Sequence, residues 1–368
     1  MKILVLNYEW PPLGGGAAPV SRALAVEYRA AGHAVHVATM RYRGQPAFAI
    51  EDGLSIRRIA CLRRRMDLCS TPEMLSFVLA AFPVVARMIR RERYDVAHCH
   101  FLVPTGLLAA ALDATVGCPY LVTVHGSDLP GYNPDRFLAM HRLISPWLPR
   151  AVARRAKAIV APSRYLAEHV RSTLGDLPVE IIPHGIDPGR FTPGRKRPWI
   201  VMSGRLLPRK GFSHVLAALE DVRGDWEVHV AGDGPARSEL EALAARCALP
   251  VHFHGWLPHH SDQLRRLYEE GGIFCLPSAG ESFGMALLEA MLAGMAVVTS
   301  DRTACPETVG EAGVVVPYGE PAALRTALAS LLASPERVAE LGRAARARVL
   351  SHFSLQASTR RYLQLLEA

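Results

Sequence analysis

The stretch ESFGMALLEAMLAGMAVVTS, residues 281–300, is an apolar helix pattern that runs directly into an apolar strand pattern. A helix leading into a buried strand is the unit from which parallel α/β sheets are built. Glu289 is the only charged residue between Ser282 and Ser300. An unpaired buried carboxylate costs several kcal/mol, on the order of the stability of a small domain, so a polar group must meet it. An arginine, a backbone amide or a ligand hydroxyl would serve.

The same alternation of short apolar runs and longer helical patterns extends along the chain. One series runs from KILVLN at the N-terminus to VEIIPHG, and a second runs from WIVMSG to AGVVVP. The segment between them, residues 185–198, is rich in Gly and Pro and is predicted to be a linker. We therefore predict an α/β protein with two Rossmann-like, doubly wound domains over residues 1–190 and 191–350, followed by a helix over residues 351–368.

Composition narrows the functional classes. At 368 residues, half of them hydrophobic, the chain has enough apolar side chains for two ordinary cores and is not expected to be disordered. The formal net charge of +8 predicts affinity for anions, which include nucleotide phosphates, anionic lipid and nucleic acid. The 7 cysteines are scattered without a CxxC pair, which favours reduced thiols in a cytoplasmic protein.

No membrane span is predicted. The uncharged run MLSFVLAAFPVVA has 13 residues and contains Pro83, whereas a spanning helix needs about 20 apolar residues. The first apolar run is too short for a signal peptide and is interpreted as a first strand. Two basic clusters, Arg63–Arg65 and Arg87–Arg93, predict peripheral contact with an anionic membrane; solvated charge is the alternative.

Ligands of open α/β sheets bind beyond the carboxyl ends of the strands, so the residues after each predicted strand are candidates. Arg205 and Lys210 lie five apart in one strand-to-helix loop, where two cations can clamp a diphosphate. His125 follows another strand and is a candidate donor to a sugar hydroxyl or phosphate. The remaining candidates of this kind are Gly15, Gly16, Gly204, Gly232 and Glu281.

Several alternative chemistries lack their required patterns. Ser127 and Asp128 lie close to His125, but no G-x-S-x-G elbow exists for a serine hydrolase. The loop PPLGGG lacks the third glycine of G-x-G-x-x-G, which disfavours a dinucleotide dehydrogenase. His98 and His100 share a strand face without a clear third metal ligand, and no D-x-D pair suited to a divalent ion is present.

The order of these phrases carries a resemblance to a known family. PPLGGG, VTVHGSD, IIPHGID, SGRLLPRKGF, VAGDGP and the E-x7-E element from Glu281 to Glu289 occur in sequence along nearly the whole chain. The chain resembles a retaining GT-B glycosyltransferase of family 4, the glycosyl transferases group 1. The resemblance implies two domains that face each other across a cleft and a terminal helix that crosses back to the first domain.

The resemblance also implies roles for single residues. Glu289 would hold the donor ribose, Glu281 would contact the sugar, and Arg205 and Lys210 would stabilise the departing nucleoside diphosphate. The helix start after Glu281 is suited to bind the diphosphate through backbone amides, and the GWLP segment is expected to lie against the base. These two segments contribute Phe283, Gly284, Met285, Trp256 and Leu257.

The function implied is transfer of a sugar from a nucleoside-diphosphate sugar to a glycan, lipid-linked or small-molecule acceptor, with retention of configuration. Neither a cofactor nor a metal is expected, and nucleic acid is not an expected partner. The alternatives are a GT-B nucleotide-sugar epimerase and a catalytically silent nucleotide-sugar-binding protein. Two departures are visible: His184 stands where many relatives have Asn, and Met295 and Ala296 follow the E-x7-E element where many have Pro.

Overall fold

The computed structural model describes residues 1–66, 68–132 and 147–368. The chain divides into two compact units. Unit 1 comprises Met1–Gly185 and Leu355–Ala368, and unit 2 comprises Ile186–Ser354. Each unit has its own buried apolar core and its own sheet, as expected for two separate α/β domains.

The strands of both units are short and almost entirely apolar, which is typical of parallel sheets whose two faces are covered by helices. Unit 1 has an eight-stranded sheet in the order β3-β4-β2-β1-β5-β6-β7-β8, in which only the β3–β4 pair is antiparallel. Its strands are β1 Lys2–Leu6, β2 Ala34–Met40, β3 Phe48–Glu51, β4 Leu54–Ile59, β5 Val96–His100, β6 Tyr120–Thr123, β7 Ala158–Ala161 and β8 Val179–Ile181.

Unit 2 has a six-stranded, all-parallel sheet in the order β11-β10-β9-β12-β13-β14. Numbered within the unit, this is the order 3-2-1-4-5-6 of dinucleotide-binding folds. Its strands are β9 Arg197–Ser203, β10 Glu227–Ala231, β11 Val251–Gly255, β12 Gly271–Leu276, β13 Ala296–Ser300 and β14 Val314–Val316. The predicted doubly wound α/β class is therefore confirmed in both units.

Helices connect the strands, and several begin at residues that satisfy the first backbone amides. Ser163 accepts a hydrogen bond from the amide of Leu166, and Ser261 accepts one from Leu264. The helices are α1 Ala17–Ala30, α2 Thr71–Glu92, α3 Leu107–Val116, α4 Trp147–Arg155, α5 Arg164–Leu174, α6 Phe212–Leu219, α7 Arg237–Ala244, α8 Asp262–Glu270, α9 Met285–Leu292, α10 Cys305–Val309, α11 Pro321–Leu332, α12 Pro335–His352 and α13 Leu355–Glu367.

The last helix, α13, belongs to unit 1. Tyr362 is buried, and its hydroxyl accepts a hydrogen bond of 3.1 Å from Thr123 at the end of β6. Ser358 donates to the carbonyl of Pro183 at 2.8 Å. These polar contacts, together with the buried side chains of Leu355 and Leu366, attach α13 to the sheet of unit 1, which also contains β1.

The segment predicted as a linker is packed into unit 2. Phe191 is 1% exposed and lies in the unit 2 core. Lys196 donates to the carbonyls of Glu269 and Ala293, at 2.9 and 2.7 Å, where α8 and α9 end. A cation at two helix C-termini is favoured by the helix dipoles. Residues 186–198 therefore belong to unit 2, because Ile186, Phe191 and Lys196 have their partners there.

Helix α2 passes a test of length and composition for crossing a membrane, and in the described residues it is the only helix that does. In the structure it buries Phe77, Ala81 and Val85 in the core of unit 1. Leu75 and Leu79, on its other side, are 59% and 67% exposed. The helix therefore has one face in the core of unit 1 and one apolar face that unit 1 leaves uncovered.

Candidate functional site

The sheet of unit 2 has a switch point between β9 and β12, where the strand order reverses. Lys210 ends a short 3-10 turn after β9, and Glu281 follows β12. The Nζ atom of Lys210 forms an ion pair with Oε1 of Glu281. The two side chains are 17% and 12% exposed, so this pair lies at the surface of the unit but is largely shielded from water. The fold thus brings together two predicted catalytic residues that are 71 positions apart.

Backbone contacts fix the two loops against each other. The amide of Ala279 donates to the carbonyl of Arg209 at 2.8 Å, and the amide of Glu281 donates to Thr303 Oγ1 at 3.0 Å. Gly211 has a φ of +72°, and a Cβ atom there would lie 2.1 Å from the carbonyl oxygen of Pro277. Only glycine fits this position, so the loop that presents Lys210 is held on the loop that leads to Glu281.

Gly204 and Gly232 end two neighbouring strands and were predicted to contact the donor. The amide of Gly204 donates to Ala231 O at 2.9 Å, and the amide of Gly232 donates to Gly255 O at 2.8 Å. A Cβ on Gly232 would lie 1.9 Å from the carbonyl oxygen of Gly204. Close packing between the strand ends is sufficient to explain why position 232 is a glycine. Arg205 follows Gly204 directly, at the end of β9.

The start of α9 has the geometry expected of a helix that receives an anion. Gly284 precedes the helix with a φ of +90°, and Met285 is its first residue. Phe283 is 2% exposed and packs edge-on against Phe353, with ring centroids 5.4 Å apart. Thr308 donates a hydrogen bond to the carbonyl of Phe283, which fixes the residue before Gly284. The N-terminal amides of α9 and the favourable end of its dipole lie beside Glu281 in sequence.

Glu289 has a protein partner that sequence reasoning missed. Its Oε1 atom lies 2.6 Å from Nε2 of His259, and burial together with the neighbouring Glu289 carboxylate raises the pKa of Tyr268 well above its usual value. His259 is held in turn by Arg190, whose Nη2 lies 3.0 Å from His259 Nδ1. The Glu289 side chain is 9% exposed and that of His259 is 36% exposed. The only sequence signal is the pair HH directly after GWLP.

The GWLP segment lies between β11 and His259. Trp256 is 51% exposed, whereas Leu257 is half-buried against the core of unit 2. Because His259 bonds to Glu289, the segment carrying Trp256 is tied to α9. The indole ring of Trp256 is about half exposed, and an exposed planar ring is suited to stacking on a base.

The Gly14–Gly16 loop of unit 1 differs from the expectation. The amide of Gly15 donates to Glu9 Oε2 at 3.3 Å, and the amide of Gly14 donates to the carbonyl of Met66 at 2.8 Å. Glu9 is buried, and a Cβ on Gly14 would overlap its carboxylate at 2.5 Å. The amide of the candidate Gly15 is therefore bonded to a protein carboxylate and that of Gly14 to a protein carbonyl, so neither is free for a ligand anion. Gly16 has open space around it.

His125 ends a row of aromatic rings at the carboxyl ends of β5 and β6. Its Nε2 atom lies 3.1 Å from Nδ1 of His100, and its ring stacks on His184 with centroids 5.6 Å apart. The side chain is only 9% exposed. Burial, followed by the neighbouring His184 and His98, lowers the pKa of His125 well below its usual value, so the ring is neutral.

Asp128 organises this loop. Its Oδ1 accepts from the amide of His125 at 3.0 Å, and its Oδ2 accepts from the amide of Leu102 at 2.6 Å. Burial raises the pKa of Asp128 to about 6 against the opposing effect of these amides. The residue therefore positions the β6 loop through backbone contacts, which leaves it no role as the acid of a serine-type triad.

Two family profiles cover most of the chain. Residues 14–190 match the profile described as Glycosyltransferase Family 4, and residues 197–334 match Glycosyl transferases group 1. The chain belongs to the group 1 glycosyl transferases. A relative, 2-deoxystreptamine glucosyltransferase of Streptomyces kanamyceticus, is 31% identical over 299 residues, which span 73% of this chain and 71% of the relative.

Solved structures show that this glycosyltransferase has the GT-B fold. Sucrose-phosphate synthase from Thermosynechococcus elongatus matches with a TM-score of 0.84 at 20% identity, covering 100% of this chain and 98% of that one. HepE of Anabaena, solved in complex with UDP-glucose, matches with a TM-score of 0.79 at 18% identity, covering 100% and 99%. Likeness at this identity speaks to the fold, and the family assignment rests on the sequence matches.

Proposed function

We propose that this glycosyltransferase moves a sugar from a nucleoside-diphosphate sugar to a hydroxyl group of a glycan, a lipid-linked acceptor or a small molecule, with retention of configuration and without a divalent metal. The observation that carries the proposal is the Lys210–Glu281 pair at the switch point of unit 2, beside the start of α9. The UDP-glucose complex of HepE, a structural neighbour, supports a nucleotide-sugar donor.

In this mechanism the donor diphosphate displaces Glu281 as the partner of Lys210. The ammonium group and Arg205 then stabilise the negative charge that develops on the departing nucleoside diphosphate. Glu281, released from the lysine, accepts hydrogen bonds from sugar hydroxyls. Attack occurs on the face from which the diphosphate leaves, and a donor phosphate oxygen takes the acceptor proton, so no protein nucleophile is required.

The carboxylate of Glu289 has two oxygens that can accept hydrogen bonds from the vicinal hydroxyls of ribose. Because His259 holds Oε1 from a half-exposed position, ribose either uses the second oxygen or displaces the imidazole. The neutral His125 serves in unit 1 as a hydrogen-bonding group that brings no charge to the reacting sugar.

The test starts from a panel of nucleoside-diphosphate sugars, scored by thermal stabilisation of the full chain. A donor at a hundred times its dissociation constant stabilises by roughly 2.7 kcal/mol. With that donor and an acceptor, we expect NMR to show a product with the anomeric configuration of the donor, and a chelator to leave turnover nearly unchanged. An inverted product, or a loss of turnover restored by manganese or magnesium, would overturn the mechanism.

Two further outcomes separate the alternatives. Release of an epimer of the donor sugar without acceptor would identify an epimerase. Stabilisation by a donor with no turnover on any acceptor class would identify a silent binding protein.

We also propose peripheral contact with an anionic membrane through one patch of unit 1. The segment after β4 lies along the first turns of α2, since Leu62 N donates to Ser76 Oγ at 3.0 Å. This patch contains the exposed Leu62, Met66, Leu75 and Leu79 together with the exposed Arg64 and Arg65. Apolar side chains flanked by cations suit the interface of an acidic bilayer.

The two basic clusters predicted from sequence lie at opposite ends of α2. Arg63 is 7% exposed and donates to the carbonyls of Arg65 and Met66, so it supports the loop from within. The second cluster lies at the other end of α2. We expect Arg64→Glu with Arg65→Glu to weaken sedimentation with phosphatidylglycerol vesicles at low salt, and Arg91→Glu to leave it unchanged. Equal binding to neutral vesicles, or none at low salt, contradicts the proposal.

A further inference from the structure

The outer strands of the unit 2 sheet carry a second group of titratable side chains, distant in the strand order from Glu281. Glu227 and His229 lie on β10, and His252 and His254 lie on the edge strand β11. His229 and His252 are direct neighbours in the parallel register. Since side chains two residues apart share a sheet face, these four residues lie on one face. We call them the edge histidine cluster.

Three members of the cluster have the spacing of metal ligands. The ligand atoms of Glu227, His229 and His252 all lie within 4.8 Å of one another. Glu227 Oε2 is 3.2 Å from His252 Nε2 and 3.5 Å from His229 Nε2. In a tetrahedral site with bonds of about 2.0 to 2.1 Å, ligand atoms are separated by about 3.3 to 3.4 Å. Two of the three separations are already close to this value.

His229 supplies a buried ring nitrogen that faces the other two ligands. The residue is 6% exposed, and its Nε2 atom is buried and makes no hydrogen bond of good geometry within the described part of the chain, with Glu227 Oε2 at 3.5 Å. That atom faces the Glu227 carboxylate. A buried ring nitrogen of this kind is satisfied by an ion between it and the carboxylate.

The cluster also has a supporting chain of hydrogen bonds. His229 Nδ1 lies 3.0 Å from His254 Nε2, and His254 Nδ1 lies 2.9 Å from the side-chain amide of Gln263 on α8. As the structure orients the amide, Gln263 Nε2 donates to His254 Nδ1, so His254 Nε2–H donates to His229 Nδ1 and the proton of His229 lies on Nε2, towards Glu227. Zinc binding requires the flipped amide, whose oxygen accepts from His254 Nδ1–H; His229 then donates its Nδ1–H to His254, and its Nε2 lone pair points towards Glu227. Such relays fix the tautomer and orientation of metal-binding histidines.

The site is open to solvent on one side. The side chains of Glu227 and His252 are 42% and 47% exposed. Glu227 and Trp199 line a cavity of about 530 Å³ at the amino-terminal end of β9. His252 lies on an edge strand, with its side chain 47% exposed. An ion therefore has an entry path, and the exposed ligands are the ones that adjust.

We propose that Glu227, His229 and His252 bind one zinc ion, with water in the fourth position. Two imidazole nitrogens, one carboxylate oxygen and an open position form a set that zinc commonly takes. The ion cross-links β10 to the edge strand β11, which leads directly to Trp256. Its role is to hold this edge of unit 2 in register.

The test uses the full chain without a histidine tag, stripped with chelator and titrated with zinc by calorimetry. We expect one ion per chain and a rise in the melting temperature of unit 2 of about 5 °C or more at saturating zinc. His252→Ala and Glu227→Gln, which alter exposed side chains, are expected to abolish both effects. The matched control is His352→Ala, an exposed histidine at the end of α12, which is expected to keep both.

Three results would overturn the proposal. They are an absence of binding heat in the stripped protein, a stoichiometry that persists in His252→Ala, and binding without thermal stabilisation. Cobalt(II) gives an independent measurement, because its visible absorption distinguishes tetrahedral from octahedral coordination. A tetrahedral spectrum that disappears in Glu227→Gln supports the site, and an octahedral spectrum in every variant shows surface binding only.

Discussion

The carboxyl ends of the central strands are built in opposite ways in the two units. In unit 2 the loops after β9 and β12 present a cation and a carboxylate, Lys210 and Glu281, which pair with each other near the surface. In unit 1 the ends of β5 and β6 present His100 and His125, whose pKa values burial lowers well below the usual range. One unit keeps ionised groups at its strand ends, and the other keeps neutral rings.

This difference separates two kinds of recognition. A charged pair that is only partly exposed can exchange its internal partner for a charged ligand, as a diphosphate would require of Lys210. A buried neutral imidazole donates or accepts one hydrogen bond without the desolvation cost of a charge. On this reasoning unit 2 is suited to the nucleotide end of the donor and unit 1 to hydroxyl groups.

The largest expected effect comes from removing the cation. Lys210→Met keeps most of the side-chain length and removes the charge, and turnover should fall by at least ~100-fold, the scale of losing one electrostatic stabiliser. The loss should appear in kcat more than in KM, because the charge being stabilised develops in the transition state. Steady-state kinetics with a saturating acceptor measure both quantities.

The matched control is Arg223→Met, which removes an exposed cation from the same unit outside the switch-point loops. Its kinetics should match those of the unaltered protein. If Lys210→Met also keeps a normal kcat, the charged strand ends of unit 2 have no part in transfer. The functional difference inferred between the two units would then be wrong.

The fold was predictable because it follows local periodicity and spacing. Fully apolar strands, glycine at their ends and a long helix before each next strand predict a parallel sheet wherever they recur. Lys210 and Glu281 could be proposed as one site because both follow strands of the same sheet, and parallel strands end at a common edge.

What could not be predicted depends on contacts between residues far apart in the sequence. His259 contacts Glu289, which lies 30 positions further along the chain, and the sequence around either residue does not predict this contact. The antiparallel strand β3 has little sequence signal, because its four residues are exposed or half-buried and lack a long apolar run. The carboxylate of Glu9 accepts a hydrogen bond from the amide of Gly15, and the run of three glycines does not predict this contact.

A smaller effect tests the neutral strand ends of unit 1. Burial lowers the pKa of His184 to about 4, and its ring stacks on His125. In the unfolded chain histidine titrates near 6.5. A group whose folded pKa is depressed contributes stability that is fully present above pH 6.5 and is lost as the pH falls towards 4. Between pH 7.5 and pH 5, His184 should therefore remove about 2 kcal/mol from the stability of unit 1.

The variant His184→Asn keeps a polar side chain at this position and removes the titrating group. Its packing cost is the same at every pH, so the difference between pH 7.5 and pH 5 isolates the ionisation. Hydrogen exchange of the β6 and α13 amides, corrected for intrinsic rates, reports the opening free energy of unit 1, while the amides of unit 2 serve as an internal reference. We expect the variant to lose about 2 kcal/mol less than the unaltered protein on acidification, and His352→Asn to change nothing. Equal acid losses in the two proteins would mean that His184 is protonated in the folded unit, and the neutral ring row inferred for unit 1 would then be wrong.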